Sequence, residues 1–361
     1  MRAMSSNILN PDNNLPENYT ESQSGGDADH QPNPVDFSTL SPDCVFDAMH
    51  AQGFHCDGRL LALNSYENRV YQLGMDDASP LVVKFYRPLR WSDEQIREEH
   101  QFVTQLEVAE IPVVPALPDI NGNSLREFAG FRFAVFERQG GRAPELDRAG
   151  TLEWIGRFLG RIHAVGARES YQFRPMVNPQ TYGDASLDHL LQHDFIPADI
   201  VHAYEATARM MLAAVKNAYQ QAGDIQSLRL HGDCHMGNVL WTEVGAQPGP
   251  HFVDFDDSRM GPAMQDLWML LSGSRQEMQG QLCDILMGYE DFYHFNPVEL
   301  HLIEALRSLR LLHYSAWLAQ RWTDPAFKQA FPWFNTQRYW QDRVLEMREQ
   351  IALMDEAPLR V

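Results

Sequence analysis

Gly140-Gly141 divides this chain into a part that contains strand patterns and a part that repeats at helical spacing, and that division limits what it can fold into. Ahead of it, Leu60-Leu61-Ala62-Leu63, Val70-Tyr71-Gln72-Leu73 and Leu81-Val82-Val83-Lys84-Phe85-Tyr86 read as short strands of an antiparallel meander, with Met75-Asp76-Asp77-Ala78 as a turn. Ser41-Pro42-Asp43, followed by Val45, Phe46 and Met49 on one face, predicts a short helix before the first strand. Ile96, Phe102, Val103 and Leu106 predict a second helix over 93–106. A further hairpin is expected around Asn121-Gly122, with Phe131-Arg132-Phe133-Ala134-Val135-Phe136 as its inner strand. Beyond the glycine pair, residues 152–165, 200–221, 266–271, 278–292 and 299–322 all repeat at helical spacing. Sheet first and helices after is an α+β plan.

Three segments follow from this. Residues 1–36, rich in Asn, Pro, Ser, Asp and Gly, bury too little to offset ordering entropy and predict a disordered tail. Residues 37–137 form a first lobe of sheet and helix, and residues 138–361 a larger, mostly helical second lobe.

Acidic side chains outnumber basic ones by 49 to 29, so the surface repels polyanions and nucleic acid is not expected as a partner. An anionic nucleotide then needs fixed cations, backbone amides or a divalent metal gathered at one place. Cys44, Cys56, Cys234 and Cys283 form no C-x-x-C pair, which suits a reducing compartment. No apolar run reaches the roughly 20 residues that cross a bilayer, so the expectation is a cytoplasmic protein without a membrane partner. No coiled-coil seam is visible, and the chain is expected to be a monomer.

The stretch that carries chemistry is Leu230-His231-Gly232-Asp233-Cys234-His235-Met236-Gly237-Asn238-Val239-Leu240-Trp241, followed by Phe252-Val253-Asp254-Phe255-Asp256-Asp257. Asp233 and Asn238 lie on a polar loop broken by two glycines. An apolar strand then runs to a turn containing Pro248-Gly249-Pro250, and a second apolar strand returns to Asp254. Such a hairpin sets Asp254 beside Asn238, where an amide oxygen and one or two carboxylates share a hard cation that keeps its remaining positions for water and phosphate oxygens. Asp233 is left to face a hydroxyl. The spacing matches the H-x-D-x-x-x-x-N plus downstream Asp arrangement of kinase active sites, which points to ATP as co-substrate and Mg²⁺ as cofactor. His231 is expected to brace the loop rather than to react.

A kinase site also needs a strand lysine and a carboxylate on the next helix to orient it. Lys84 closes Leu81-Val82-Val83, and Glu99 lies seven residues before Leu106 on the following helix. Phe136-Glu137-Arg138-Gln139-Gly140-Gly141 leaves the first lobe, so the backbones of Glu137 and Gln139 are candidates for holding adenine while the glycines permit closure. Asp266 is expected to cap its own helix. The stripe Trp317, Trp322, Phe327, Phe331, Trp333 and Trp340 is expected in the core or in a groove wall.

With these residues in place, the chain resembles the aminoglycoside phosphotransferase and choline kinase branch of the kinase superfamily. Asn64-Ser65-Tyr66-Glu67-Asn68-Arg69-Val70-Tyr71, Val83-Lys84-Phe85-Tyr86-Arg87-Pro88, Glu98-Glu99-His100-Gln101-Phe102, the His231 to Trp241 stretch and Met260-Gly261-Pro262-Ala263-Met264-Gln265-Asp266-Leu267-Trp268 are similar, within that branch, to the bacterial stress response kinase A family. The resemblance implies a bilobal protein-kinase-like fold and a cytoplasmic Ser/Thr protein kinase that autophosphorylates and serves the stress response. It implies Asp233 as proton acceptor, Asn238 and Asp254 as Mg²⁺ ligands and Ser65 at the ATP phosphates. Asp256 is expected to assist with a second metal. Two departures stand out: the loop 64–68 has no glycine, and His235 stands two residues after Asp233, where many protein kinases have lysine.

Other readings stay open. A small-molecule kinase acting on an alcohol such as choline, homoserine or an aminosugar would use the same residues. A metal-dependent phosphoesterase could take His231, Asp233, His235 and Asp254 as ligands, but leaves Lys84 and Glu99 without a task. A pseudokinase scaffold is opposed by the intact Lys84, Asp233, Asn238 and Asp254.

Overall fold

Ser41 accepts the N–H of Cys44 at 3.2 Å, and with Pro42 at the first helical position it starts α1 (Pro42–Ala51). The computed structural model describes residues 36–243 and 248–361; all but Asp36 of the expected tail lies outside them. After α1 come β1 (Cys56–Leu63), β2 (Arg69–Met75) and β3 (Leu81–Phe85), then α2 (Asp93–Val108), which opens with a reciprocal cap between Ser92 and Gln95. β4 (Arg126–Phe128) and β5 (Phe131–Glu137) complete one antiparallel sheet in the order β1-β2-β3-β5-β4.

The last hairpin does not turn where the sequence predicts. Its two-residue connection is Ala129-Gly130, both at positive φ (48° and 79°), as a tight turn between twisted strands demands. Asn121-Gly122 instead belongs to a loop that the Asp119 carboxylate ties by taking the N–H groups of Asn121 and Asn123, each at 2.8 Å. An alanine at positive φ carries no sequence signal.

Alternation along β3 decides the site. Val83 and Phe85 pack with Val45, Ala48 and Met49 of α1 in one buried cluster, so Lys84 between them projects from the opposite face. There the residue directly across in β5 is Ala134, which leaves room for a long side chain.

Past Glu137 the chain is mostly helical. α3 (Thr151–Gly166) is followed by a π-helical turn, Pro179–Asp184, then α4 (Ala185–Gln192), α5 (Val201–Ala222) and the short strand β6 (Leu228–Arg229). β7 (Val239–Thr242) and β8 (Gly249–Phe252) make a hairpin, so Gly249 and Pro250 lie in the strand rather than in the turn. β9 (Met260–Gly261) pairs with β6, and α6 (Met264–Trp268), α7 (Arg275–Tyr289), α8 (Ile303–Gln320), α9 (Pro325–Ala330) and α10 (Gln337–Met354) complete the lobe. The helix expected over 299–322 is split, with a 3₁₀ segment, Pro297–Leu302, before α8.

α3 and α7 meet at backbone contact. A Cβ on Gly156 would fall 2.0 Å from the Ile285 carbonyl oxygen, and one on Gly160 2.4 Å from that of Tyr289. Of the aromatic stripe, Phe327, Phe331 and Trp340 are buried and Trp333 is exposed. Among the described residues no helix is long and apolar enough to cross a membrane.

The lobes touch beyond the connecting strand. The Phe252 N–H donates to the Pro112 carbonyl at 2.8 Å, and Arg142 exchanges backbone hydrogen bonds with Trp241, which lays the β7–β8 hairpin against the base of the first lobe.

Candidate active site

The loop from His231 to Asn238 is shaped by a residue 33 positions beyond Asp233. Asp266 takes the N–H of His231 on Oδ2 and that of Gly232 on Oδ1, both at 2.8 Å, and His163 Nε2 lies 3.1 Å from Oδ2. Burial pushes the Asp266 carboxyl up, but His163, His231 and the Gly232 N–H outweigh it and hold it below its usual value. Asp266 therefore does not cap its own helix. It sits third in α6, while Glu299 takes the Met264 N–H at 2.8 Å, and its carboxylate holds the reacting loop instead. Gly232 is required here: φ is 87°, and a Cβ would lie 2.1 Å from the Asp257 carbonyl oxygen. His231 bonds Val253 O through Nε2 at 2.9 Å, the expected bracing role.

From that support the loop turns tightly. The His235 N–H donates to the Asp233 carbonyl, the Asn238 N–H to that of His235, and Asn238 Nδ2 to the Asp233 carbonyl, each at 2.9 Å. With the amide nitrogen so engaged, Asn238 Oδ1 is its free acceptor. The β7–β8 register pairs Val239 with Phe252, and the Val253 N–H donates to Asn238 O at 3.0 Å, so the strands bring Asn238 beside the approach to Asp254. Asp254 stands at φ 62°, an uncommon conformation for a non-glycine, and its side chain is 55% exposed.

The strand lysine of the first lobe meets this cluster. Lys84 Nζ lies 3.0 Å from Asp254 Oδ1 and 3.1 Å from Asp256 Oδ1. Burial lowers the ammonium's proton affinity, but Asp254, Asp256 and Glu99 reverse that and hold it well above its ordinary value, so Lys84 is a fixed cation.

Two expected roles change. Glu99 does not pair with Lys84: its Oε2 lies 3.0 Å from Arg174 Nη2. Arg174 is itself bound to the Gln95 carbonyl (2.7 Å) and to those of Asp256 (2.9 Å) and Ser258 (2.7 Å), so it staples α2 to the acidic turn after β8. Burial pushes the Glu99 carboxyl up to about 7 against the pull of Lys84 and Arg174. Asp256, expected at a second metal, is a buried counter-ion. Its Oδ2 takes Arg90 Nη1 and, at 3.2 Å, Asn68 Nδ2, while Oδ1 faces Lys84. Burial raises this carboxyl, but Arg90 and Lys84 hold it far below the usual range, and its oxygens are already engaged.

The remaining candidates lie around this centre. Ser65 is half-buried at the bend of the loop between β1 and β2, and that loop is tied to the acidic cluster through Asn68. Glu137 ends β5, exposed, and Gln139 Nε2 donates to the Gly140 carbonyl at 2.8 Å. At Gly141 a Cβ would meet Leu240 Cβ at 2.8 Å, so the connecting strand crosses closely over β7.

Among the described residues no cluster of three or more His, Cys, Asp or Glu stands ready for a metal. A Mg²⁺ ion held by one carboxylate, one amide oxygen and phosphate oxygens requires no such cluster, and Asp254 with Asn238 Oδ1 fits that donor set. The His-x-Asp-x-His phosphoesterase arrangement fits poorly, because both His231 nitrogens face backbone groups and His235 Nδ1 takes the Gly237 N–H at 2.9 Å.

Sequence reasoning missed Arg310 and Arg174. Arg310 Nη1, from α8, lies 2.7 Å from Asp233 Oδ1. Neither arginine belongs to a spaced motif, whereas Asn68 lies inside the stretch 64–71 that carries the family resemblance.

Comparison with known proteins places the chain in a family. The model of the phosphotransferase enzyme family matches residues 59–312. "Stress response kinase A" of Salmonella choleraesuis (strain SC-B67) is 43% identical over 337 residues, covering 91% of this chain and 98% of that protein. "Serine/threonine protein kinase RdoA" of Salmonella typhimurium (strain LT2) matches with the same identity and coverage. Among solved structures, an amicoumacin kinase in complex with AMP-PNP, Ca²⁺ and Ami superposes with a TM-score of 0.65 at 20% identity, covering 88% of this chain and 94% of that one, a likeness of fold. The chain belongs to the phosphotransferase enzyme family and, within it, to the stress response kinase A family.

Proposed function

We propose that this phosphotransferase is a Mg²⁺- and ATP-dependent Ser/Thr protein kinase of the bacterial stress response, cytoplasmic and able to phosphorylate itself. The observation that carries the reading is the contact of Lys84 with Asp254, 170 positions apart, on the same hairpin that presents Asn238 and follows Asp233. Asp233 accepts the proton of a serine or threonine hydroxyl as its oxygen bonds the γ-phosphorus of ATP; the bond from that phosphorus to the β–γ bridging oxygen breaks, and ADP leaves. Lys84 neutralises the α- and β-phosphates, Ser65 lies at the phosphates, and backbone groups of Glu137 and Gln139 hold adenine. Asn238 Oδ1 and Asp254 would hold Mg²⁺, which shields phosphate charge when bound. Glu99 supports Lys84 at one remove, through Arg174 and the acidic turn.

Relatives of this fold include kinases for small molecules, and the same machinery would serve them. The guanidinium of Arg310 beside Asp233 favours the protein reading over a cationic amino alcohol, because it places positive charge where such an acceptor would bring its own. Incubation with Mg²⁺ and γ-labelled ATP separates the two. Label on the chain or on a generic protein acceptor is expected; transfer only to choline, homoserine or an aminoglycoside would overturn it.

A further inference from the structure

The loop 64–68 must cover the nucleotide's phosphates if the reading above holds, yet it has no glycine to give its backbone the freedom such loops ordinarily use. Its shape is imposed from the second lobe. Glu67 is the centre: its Oε2 lies 2.6 Å from Arg321 Nε and takes the indole N–H of Trp317, both from the C-terminal end of α8. Its Oε1 lies 3.1 Å from Arg87 Nε and 3.7 Å from Arg90 Nε.

Arg87 then fixes the loop backbone. Its Nε donates to the Glu67 carbonyl at 2.9 Å and its Nη2 to that of Tyr66 at 3.4 Å, while Nη2 also pairs with Asp324 at 2.8 Å, the residue that caps α9. In a trans peptide the N–H points opposite to the C=O, so the amides of Glu67 and Asn68 turn away from Arg87. The Tyr66 ring packs on Phe331 at 4.9 Å, and Asn68 ties the other end of the loop to Asp256, the partner of Lys84.

These contacts are not solvated surface pairs. Glu67 is 12% exposed and Arg321 11%, so releasing one strands the other in a poorly hydrated place. The loop is therefore tied to the end of α8 and, through Arg87, to the cap of α9 as well as to its own strands.

We propose that Glu67 is the positioning residue of the phosphate loop. Through Arg321, Trp317 and Arg87 it latches a glycine-free loop to the second lobe in the conformation that meets the β- and γ-phosphates, and so supplies across the cleft what a glycine turn supplies locally. Glu67 acts through Ser65 and the loop amides, without touching the nucleotide. This rests on the kinase reading, and the test keeps the two apart.

The full chain is titrated by calorimetry with Mg²⁺ and AMP-PNP, and separately with AMP, as parent, Glu67→Gln and Trp317→Phe. The parent is expected to bind both nucleotides; no binding of AMP-PNP by the parent overturns the kinase reading and the latch with it. Glu67→Gln loses a charge-assisted network, so its Kd for AMP-PNP should rise about tenfold, with that for AMP unchanged. Trp317→Phe removes one donor and keeps an aromatic ring on Phe327 and Phe331, and its Kd should move the same way by a smaller factor. It decides the matter if the first variant does not fold. Parent-like AMP-PNP affinity in the folded variants, or equal weakening of AMP-PNP and AMP, contradicts the latch.

Discussion

Arg310 Nη1 stands 2.7 Å from Asp233 Oδ1, so one oxygen of the proposed proton acceptor is held by a guanidinium from α8 while the other faces His235 Nε2 at 3.5 Å. The pairing orients the carboxylate before any acceptor arrives. Arg310→Gln should lower kcat by roughly 10- to 100-fold with little change in the KM for ATP, a change confined to the chemical step. Arg310→Lys should recover part of the loss, and in an Asp233→Asn background the Arg310 change should cost almost nothing more. Steady-state kinetics of Arg310→Gln, Arg310→Lys, Asp233→Asn and the double variant measures this.

Asp266 takes the N–H groups of both His231 and Gly232 on its two carboxylate oxygens. Asp266→Asn sets an amide NH₂ where one of those N–H groups points. We expect a loss of about 3 kcal/mol in urea unfolding together with a fall in kcat, because the same two bonds hold the loop that carries Asp233.

Glu299 predicts a dependence on pH. Burial pushes its carboxyl up to about 7 from the ordinary 4.5, despite the Met264 N–H. Between those limits the unfolded chain has lost this proton and the native chain has kept it, so this contribution to stability is complete below pH 4.5 and is lost as pH rises through 7. His100 and His313, pushed down to about 3 by burial, contribute the opposite slope between about 3 and their ordinary 6.5. They cancel when variant and parent are compared. Glu299→Gln should therefore gain on the parent by about 3 kcal/mol between pH 4.5 and 7.5, as measured by chemical unfolding.

The contact between α3 and α7 predicts a steric cost. Gly156→Ala drives a methyl group into the Ile285 carbonyl oxygen, which is main chain and cannot swing aside. The helices must separate, at about 1–3 kcal/mol. The alanine's better helix propensity, about 1 kcal/mol, offsets only part of this, and a lowered melting temperature is the expected result.

Features set by neighbours in the chain were legible from sequence. The Ser41 cap, the meander and the Asp233 to Asn238 loop follow from local turn chemistry and from periodicity, and Lys84 follows from strand alternation. Pairings between distant charges were not. Glu99 and Glu98 both lie on α2, and only folding shows that Glu99 finds Arg174 while Glu98 takes the N–H groups of Gln172, Phe173 and Arg174. Asp254 and Asp256 are near neighbours of the same chemistry. The αL turn at Asp254 leaves its carboxylate in the open cleft and sends that of Asp256 inward to Arg90, a division that no spacing encodes. Arg310 lies on α8, far in sequence from the Asp233 it holds, and Glu67 owes its place to Trp317 and Arg321 at the end of the same helix.

The division of labour between Asp233 and Asp254 tests the account most directly. Parent, Asp233→Ala and Asp254→Ala chains are incubated with Mg²⁺ and γ-labelled ATP, with nucleotide affinity measured on the same samples. The parent should carry label on serine or threonine, Asp233→Ala should bind ATP nearly as well yet carry none, and Asp254→Ala should lose both metal-dependent binding and transfer. Undiminished labelling of the Asp233→Ala chain would contradict the assignment of that carboxylate as the proton acceptor.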